Sequence, residues 1–235
     1  MVKVFMKKIV SVLLLICITC LSGCADQGRE IIGSEQIEAL RNEAAAYESG
    51  RYFIENLDSG VLEQVFSFYY DDDDRQVYLC EGDLGGEYYA EYSNGVELFR
   101  EENGVSANIG STDETYAKYT KKNPHPYSTG QLLFYIKNYV GTSEQTADED
   151  GNTVYIHRYD VEKLNKVLDS DVTVFYTYYA FDSEGRFKYF CQHNESAAET
   201  DADGNPVSYT YQITLGDVNS VTEIENPVSV DGQNK

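Results

Sequence analysis

Val207-Ser208-Tyr209-Thr210-Tyr211-Gln212-Ile213-Thr214-Leu215 decides the fold class. Val207, Tyr209, Tyr211, Ile213 and Leu215 recur at a period of two. Ser208, Thr210, Gln212 and Thr214 occupy the alternate positions. A strand with that alternation buries one face and turns the other toward water, the habit of antiparallel sheets. Working backward, Arg186–His193 and Val172–Phe181 are β-branched and aromatic, joined by Asp182-Ser183-Glu184-Gly185. Asp201–Pro206 leads into the last strand. Before them, a short helix, Val161–Leu168, starts after Asp160, with Val161, Leu164, Val167 and Leu168 on one face. Val154–Tyr159 precedes it, after the turn Asp150-Gly151.

Further upstream the same pattern repeats. Val61–Tyr70 and Gln76–Cys80 flank Asp71-Asp72-Asp73-Asp74-Arg75. Glu87–Tyr92, Val96–Arg100 and Val105–Ile109 are separated by Asn94-Gly95 and Asn103-Gly104. Asn-Gly suits the positive φ of a tight hairpin turn, so this stretch reads as a meander. Asn123-Pro124-His125-Pro126 interrupts it. The spacing of Leu132, Leu133, Ile136, Tyr139 and Val140 then predicts a helix, capped by Ser128 or Thr129 and ended by Gly141. Ser34 can cap a leading helix, with Glu35 in its first turn. Ile37, Leu40, Ala44 and Tyr47 share one face, and Gly50 is its stop.

Residues 1–24 carry an address. Lys3, Lys7 and Lys8 precede an apolar stretch from Ile9 to Leu21, too short for a comfortable span. It ends in Leu21-Ser22-Gly23-Cys24, which resembles the bacterial lipobox. Small residues before the cut suit the peptidase, and the Cys24 thiol takes a diacylglyceryl group. The expected organisation is a leader at 1–23, a lipidated tether at 24–33, one domain at 34–228 and a disordered tail at 229–235. A short flexible tether reaches only about 15–18 Å.

The chain has 235 residues, Lys+Arg 18 and Asp+Glu 40, a net charge of −22 and a mean hydropathy of −0.45. Removing the leader takes away Lys3, Lys7 and Lys8 and no acid, leaving 15 − 40 = −25. Such a charge excludes nucleic acid and is pushed away from anionic headgroups, so lipid must supply the membrane attachment.

Chemistry is sparse. Cys17 and Cys20 form a CxxC inside the leader, not a redox motif. Cys80 and Cys191 could pair as a disulfide or stay as buried thiols, and buried thiols are the preferred reading. Cys191-x-His193, with Cys80 or His157, is a thin zinc pattern. Asp148, Asp150 and Asn152, like Asp201, Asp203 and Asn205, have the 1-3-5 spacing of a calcium loop. Both lack its later glycine and glutamate, so they read as hairpin turns. Asp71–Asp74 could attract calcium, since adjacent carboxylates repel. No metal or cofactor is expected. No G-x-S-x-G motif is present, the histidines His125, His157 and His193 have no local partner pattern, and no enzyme is expected.

The element order resembles the half-barrel lipid-binding lipoproteins, the superfamily of the lipoprotein-localisation carrier and the mycobacterial lipid-carrying lipoproteins. The points of contact are the lipobox, the leading helix, the helix near Gln131–Val140, the short helix Val161–Leu168 before closing strands, and the ending Tyr211–Asn219 followed by Ile224-Glu225-Asn226-Pro227. The resemblance implies an α+β fold. It implies a strongly curved antiparallel sheet, helices over its concave face, and an apolar or amphipathic ligand held there. The alternating aromatics read first as core. A face so rich in Tyr could also line a groove, with Phe66, Phe68, Leu132, Ile136, Tyr176, Tyr178, Tyr209, Tyr211 and Ile213 as candidates. The expected protein is a monomeric, membrane-anchored, extracytoplasmic lipoprotein. The alternative is an acidic envelope module that binds a protein partner.

Overall fold

A computed structural model describes residues 30–83, 86–110, 118–200 and 206–228. The leader, Cys24, the start of the tether, Asp201, Asp203, Asn205 and the tail from Ser229 lie outside the described residues. Helix α1 (Ser34–Ala44) is followed by β1 (Ser49–Asn56), β2 (Val61–Tyr70), β3 (Gln76–Asp83), β4 (Tyr88–Ser93), β5 (Leu98–Glu102) and β6 (Val105–Asn108). Then come β7 (Val140–Ala147), β8 (Thr153–Tyr159), α2 (Val161–Leu168), β9 (Val172–Phe181), β10 (Phe187–Thr200) and β11 (Pro206–Gly216). The hydrogen-bonded order is β6-β5-β4-β3-β2-β1-β11-β10-β9-β8-β7. The expected large antiparallel sheet is thus present.

The chain falls into two compact units, each discontinuous in sequence. One holds the residues up to Leu40 with Gln131–Thr210. The other holds Arg41–Gly130 with the chain from Tyr211 onward.

In the unit of β7–β10, α2 has the expected bounds. The Asp160 carboxylate accepts from Lys163 N–H at 3.2 Å. Asp169, at φ 49, closes the helix. Leu164 and Leu168 are buried, and α2 packs on β9. Phe175, Thr177, Tyr179 and Phe181 of β9 are buried, with His157 and Tyr159 of β8 on the same face. Phe134 packs there, 4.9 Å from the Phe175 ring and 5.3 Å from Tyr159.

In the unit of β1–β6, the register puts Ile213, Ile54, Phe66, Phe68, Tyr52 and Tyr78 on one face. His125 and Tyr127 close over Phe66 at 4.8 and 5.4 Å. The other face has its own core. Val77, Leu79, Ala90, Tyr92 and Phe99 are covered by Val228, with Tyr69 and Ile224 alongside.

The helix expected between Ser128 and Gly141 does not form. Ser128 and Thr129 spend their hydroxyls on the carbonyls of His125 and Pro126, inside a 3₁₀ turn, Pro126–Thr129. Gly130, at φ 72, ends it against Ala44. Leu133, Phe134 and Tyr135 are then buried in succession, which no helix surface allows. Val140 and Gly141 belong to β7. Gly50 is not a helix stop either. It lies in β1 opposite Phe68, and α1 ends at Ala44.

Candidate functional site

The candidate groove residues occupy distinct settings. Phe66 and Phe68 are fully buried and Ile213 is 5% exposed, so all are core side chains. Tyr211 lies opposite Asn56 and is half-buried, as are Tyr209, Leu132 and Ile136. Tyr176 and Tyr178 alternate with buried Phe175, Thr177 and Tyr179, and so face the other way. His193 pairs with Tyr176, and its Nδ1 lies 3.0 Å from Thr210 Oγ1. Thr210 therefore shares the Tyr176 face, whereas its neighbour Tyr209 takes the opposite face.

Around Tyr176 an aromatic platform is assembled. Its ring stacks on His193 at 4.5 Å and 11°. The Arg158 guanidinium lies 5.2 Å from its centroid, and Tyr178 meets it edge-on at 5.2 Å. Burial, reinforced by Tyr178, pushes the Tyr176 phenol up to about 12. Tyr176 and Tyr178 are half-buried, and Tyr176 is flanked by His193 on β10 and Arg158 on β8.

Thr210, His193 and Glu195 are also the nearest approach to a nucleophile, base and acid, with His193 Nε2 at 3.5 Å from Glu195. Thr210 lies within β11, whose backbone groups are engaged in the sheet. The zinc pattern comes apart for a similar reason. His157 faces opposite to Cys191, because His157 aligns with Thr177 and Cys191 with Tyr178. Cys80 belongs to the other unit. Among the described residues no group of three His, Cys, Asp or Glu could hold a metal ion. Cys80 and Cys191 are both buried, the first in the unit of β1–β6 and the second in the unit of β7–β10.

The acidic stretches have a structural role. Asp71 N–H donates to Arg75 O and Asp74 N–H to Asp71 O, while the Asp71 carboxylate accepts from the N–H groups of Asp73 and Arg75. Asp182–Arg186 repeats every one of these bonds. So does Asp148–Asn152, with Asn152 Nδ2 in place of the guanidinium. Asp74, Gly185 and Gly151 take the positive φ in each. The 1-3-5 spacing is therefore that of a hairpin loop in which the first Asp ties down the turn. Arg75 contacts both Asp71 and Asp73, which relieves the repulsion that calcium would otherwise relieve.

A cleft of about 430 Å³ opens where β1 begins and β2 ends, lined by Glu48, Ser49, Tyr69, Tyr70, Asp71 and Val221 among others. Its walls are stitched by Asn219, which accepts from Glu48 N–H, and by Ser49, which accepts from Val221 N–H. The lining is polar and acidic and does not suit an acyl chain.

No family model and no curated protein matches this chain. Solved structures do. The crystal structure of LprF from Mycobacterium bovis is similar with a TM-score of 0.47 at 9% identity, over 83% of this chain and 96% of that one. The crystal structure of Mycobacterium tuberculosis lipoprotein LppX is similar with a TM-score of 0.39 at 11% identity, over 83% and 100%. The likeness carries no residue role across.

Proposed function

We propose that the chain is a non-enzymatic, extracytoplasmic lipoprotein, anchored by diacylglyceryl on Cys24, that binds an apolar or amphipathic ligand on its tyrosine-rich sheet. The half-barrel curvature and helix cover belong to this reading. The observation that carries it is the Tyr176–Tyr178 platform, whose rings are half-buried on the face opposite Phe175 and Tyr179. Leu132, Ile136, Tyr209 and Tyr211 are further half-buried candidates, the last two on the face of the sheet opposite the platform. Phe66, Phe68 and Ile213 support the sheet from within its core.

The test is native mass spectrometry of the chain from residue 24 onward, carrying Cys24→Ser and purified from a membrane-containing lysate. A lipid that leaves only on denaturation, and less of it after Tyr176→Ala, supports the reading. A clean mass with no uptake of added fatty acid or phospholipid sinks it. The second reading, an acidic module for a protein partner, is favoured by the mature charge of 15 − 40 = −25.

A further inference from the structure

The exposed apolar side chains of the β1–β6 unit gather at one end of its strands. The register aligns Gln64 with Gly82, Gly82 with Tyr89, and Tyr89 with Glu102. The ends of β1, β3 and β5 and the starts of β2, β4 and β6 therefore lie beyond the same row. Leu57 is 43% exposed, Val61 46%, Leu62 50%, Tyr88 44% and Val105 69%, and all lie at those tips. Across β1 to β6 they span roughly 24 Å at the usual strand spacing. Leu57 lies in the β1–β2 turn and the other four at the starts of β2, β4 and β6, and such an aligned set of exposed apolar residues marks a contact surface.

Charge selects the partner. Exposed Asp58, Glu87 and Glu102 stand among these side chains, and the stretches 55–63, 86–88 and 101–105 contain no Lys or Arg. The ion pairs of this unit lie elsewhere, at Arg51–Asp217, Arg75–Asp71, Arg100–Glu91 and Lys121–Glu48. An anionic bilayer would be repelled by such a rim. A protein surface with an apolar centre and a basic margin would be steered in and then desolvated at its core.

We propose that the β1–β2, β3–β4 and β5–β6 hairpin tips form a docking edge for a basic protein partner with an apolar centre. This rests on the second reading above and is independent of the ligand. The test places the photo-crosslinking residue p-benzoylphenylalanine at Val105, or at Leu62, in the full chain, within cells that natively make it. Val218, exposed at the opposite end of β11, is the control position.

The expected result is one protein adduct from Val105 and Leu62, mapped to an apolar segment flanked by Lys or Arg. The triple variant Asp58→Lys, Glu87→Lys, Glu102→Lys lowers its yield by about tenfold or more, as loss of steering requires. Adducts to lipid alone, no adduct, or a yield indifferent to charge reversal overturns the proposal. An adduct from Val218 and not from the tips overturns this edge while leaving a protein-binding module. Thermal melting of each variant confirms that the fold is retained.

Discussion

Arg75 reaches back across its own loop to Asp71, with Nε 2.8 Å from Oδ2. The carboxylate also receives the Asp73 and Arg75 N–H groups, so one side chain closes the β2–β3 turn from both sides. Asp71→Ala strands those donors at a partly exposed site and should cost about 1 kcal/mol, with Asp71→Asn costing less. Urea denaturation at pH 7 measures both. An unchanged midpoint for Asp71→Ala would remove the turn-closing role.

Acid should weaken the fold in two stages. Burial holds the His125 imidazole down to about 4 and keeps His157 below its usual value. The unfolded chain takes those protons near pH 6.5. The stability these groups contribute is therefore complete above about pH 6.5 and is lost as pH falls toward 4. Burial raises Asp71, but hydrogen bonds from Arg75 and Asp73 outweigh it, while the Arg186 N–H and guanidinium lower Asp182. Their contribution is present above about pH 4 and fades as pH falls through the depressed values. His125→Asn, which can still accept from Tyr127 N–H, should flatten the first stage by up to about 3 kcal/mol. Denaturation curves at pH 7 and 4.5 decide it, since an equal slope in both proteins contradicts the account.

The segment before α1 is fastened to β7 and β8. Ile32 N–H donates to Ser143 Oγ at 3.0 Å, and His157 Nε2 donates to the Ile32 carbonyl at 2.8 Å. Gly33 sits against the Tyr155 ring at φ 78, where an added Cβ would collide with ring carbons. Gly33→Ala should cost about 2 kcal/mol or more. It should also speed amide exchange at residues 31–34. Wild-type exchange rates there would mean the segment is not held this way.

Both thiols should be inert in the folded chain. Burial raises Cys191 to about 12, and it raises Cys80 as well, with Glu91 adding to the effect. Ellman's reagent should find neither thiol at pH 8, and both once the chain is denatured without reductant. Thiols that become titratable only after reduction would reinstate the disulfide.

Much of the sheet was legible because local chemistry and tertiary demand agree. Val161–Leu168 and Val172–Phe181 form with the expected bounds, since Asp160 caps the helix and β-branched or aromatic residues fill the strand. Where several partners compete for one residue, legibility fails. Gly50 looks like a helix stop, yet it pairs with Phe68 inside the β1–β2 ladder, where a long-range partner decides its place. Leu132 and Ile136 have helical spacing, but burial of every residue from Leu133 to Tyr135 overrides it. The candidate groove divides for a related reason. Period two tells which residues share a face within one strand, and only cross-strand pairing, as between Tyr176 and His193, relates one strand's face to the next. The docking edge carries no sequence motif at all, because it is an alignment of hairpin tips set by register.

The discontinuity of each unit dictates an order of assembly. The Asp71–Arg75, Asp148–Asn152 and Asp182–Arg186 hairpins join strands adjacent in sequence and can close early, on roughly the microsecond scale of isolated hairpins. Ile54 must wait for Ile213, Phe99 for Val228, and Ile32 for His157. A ribosome releasing this chain from its first residue onward thus emits closed hairpins without a finished core.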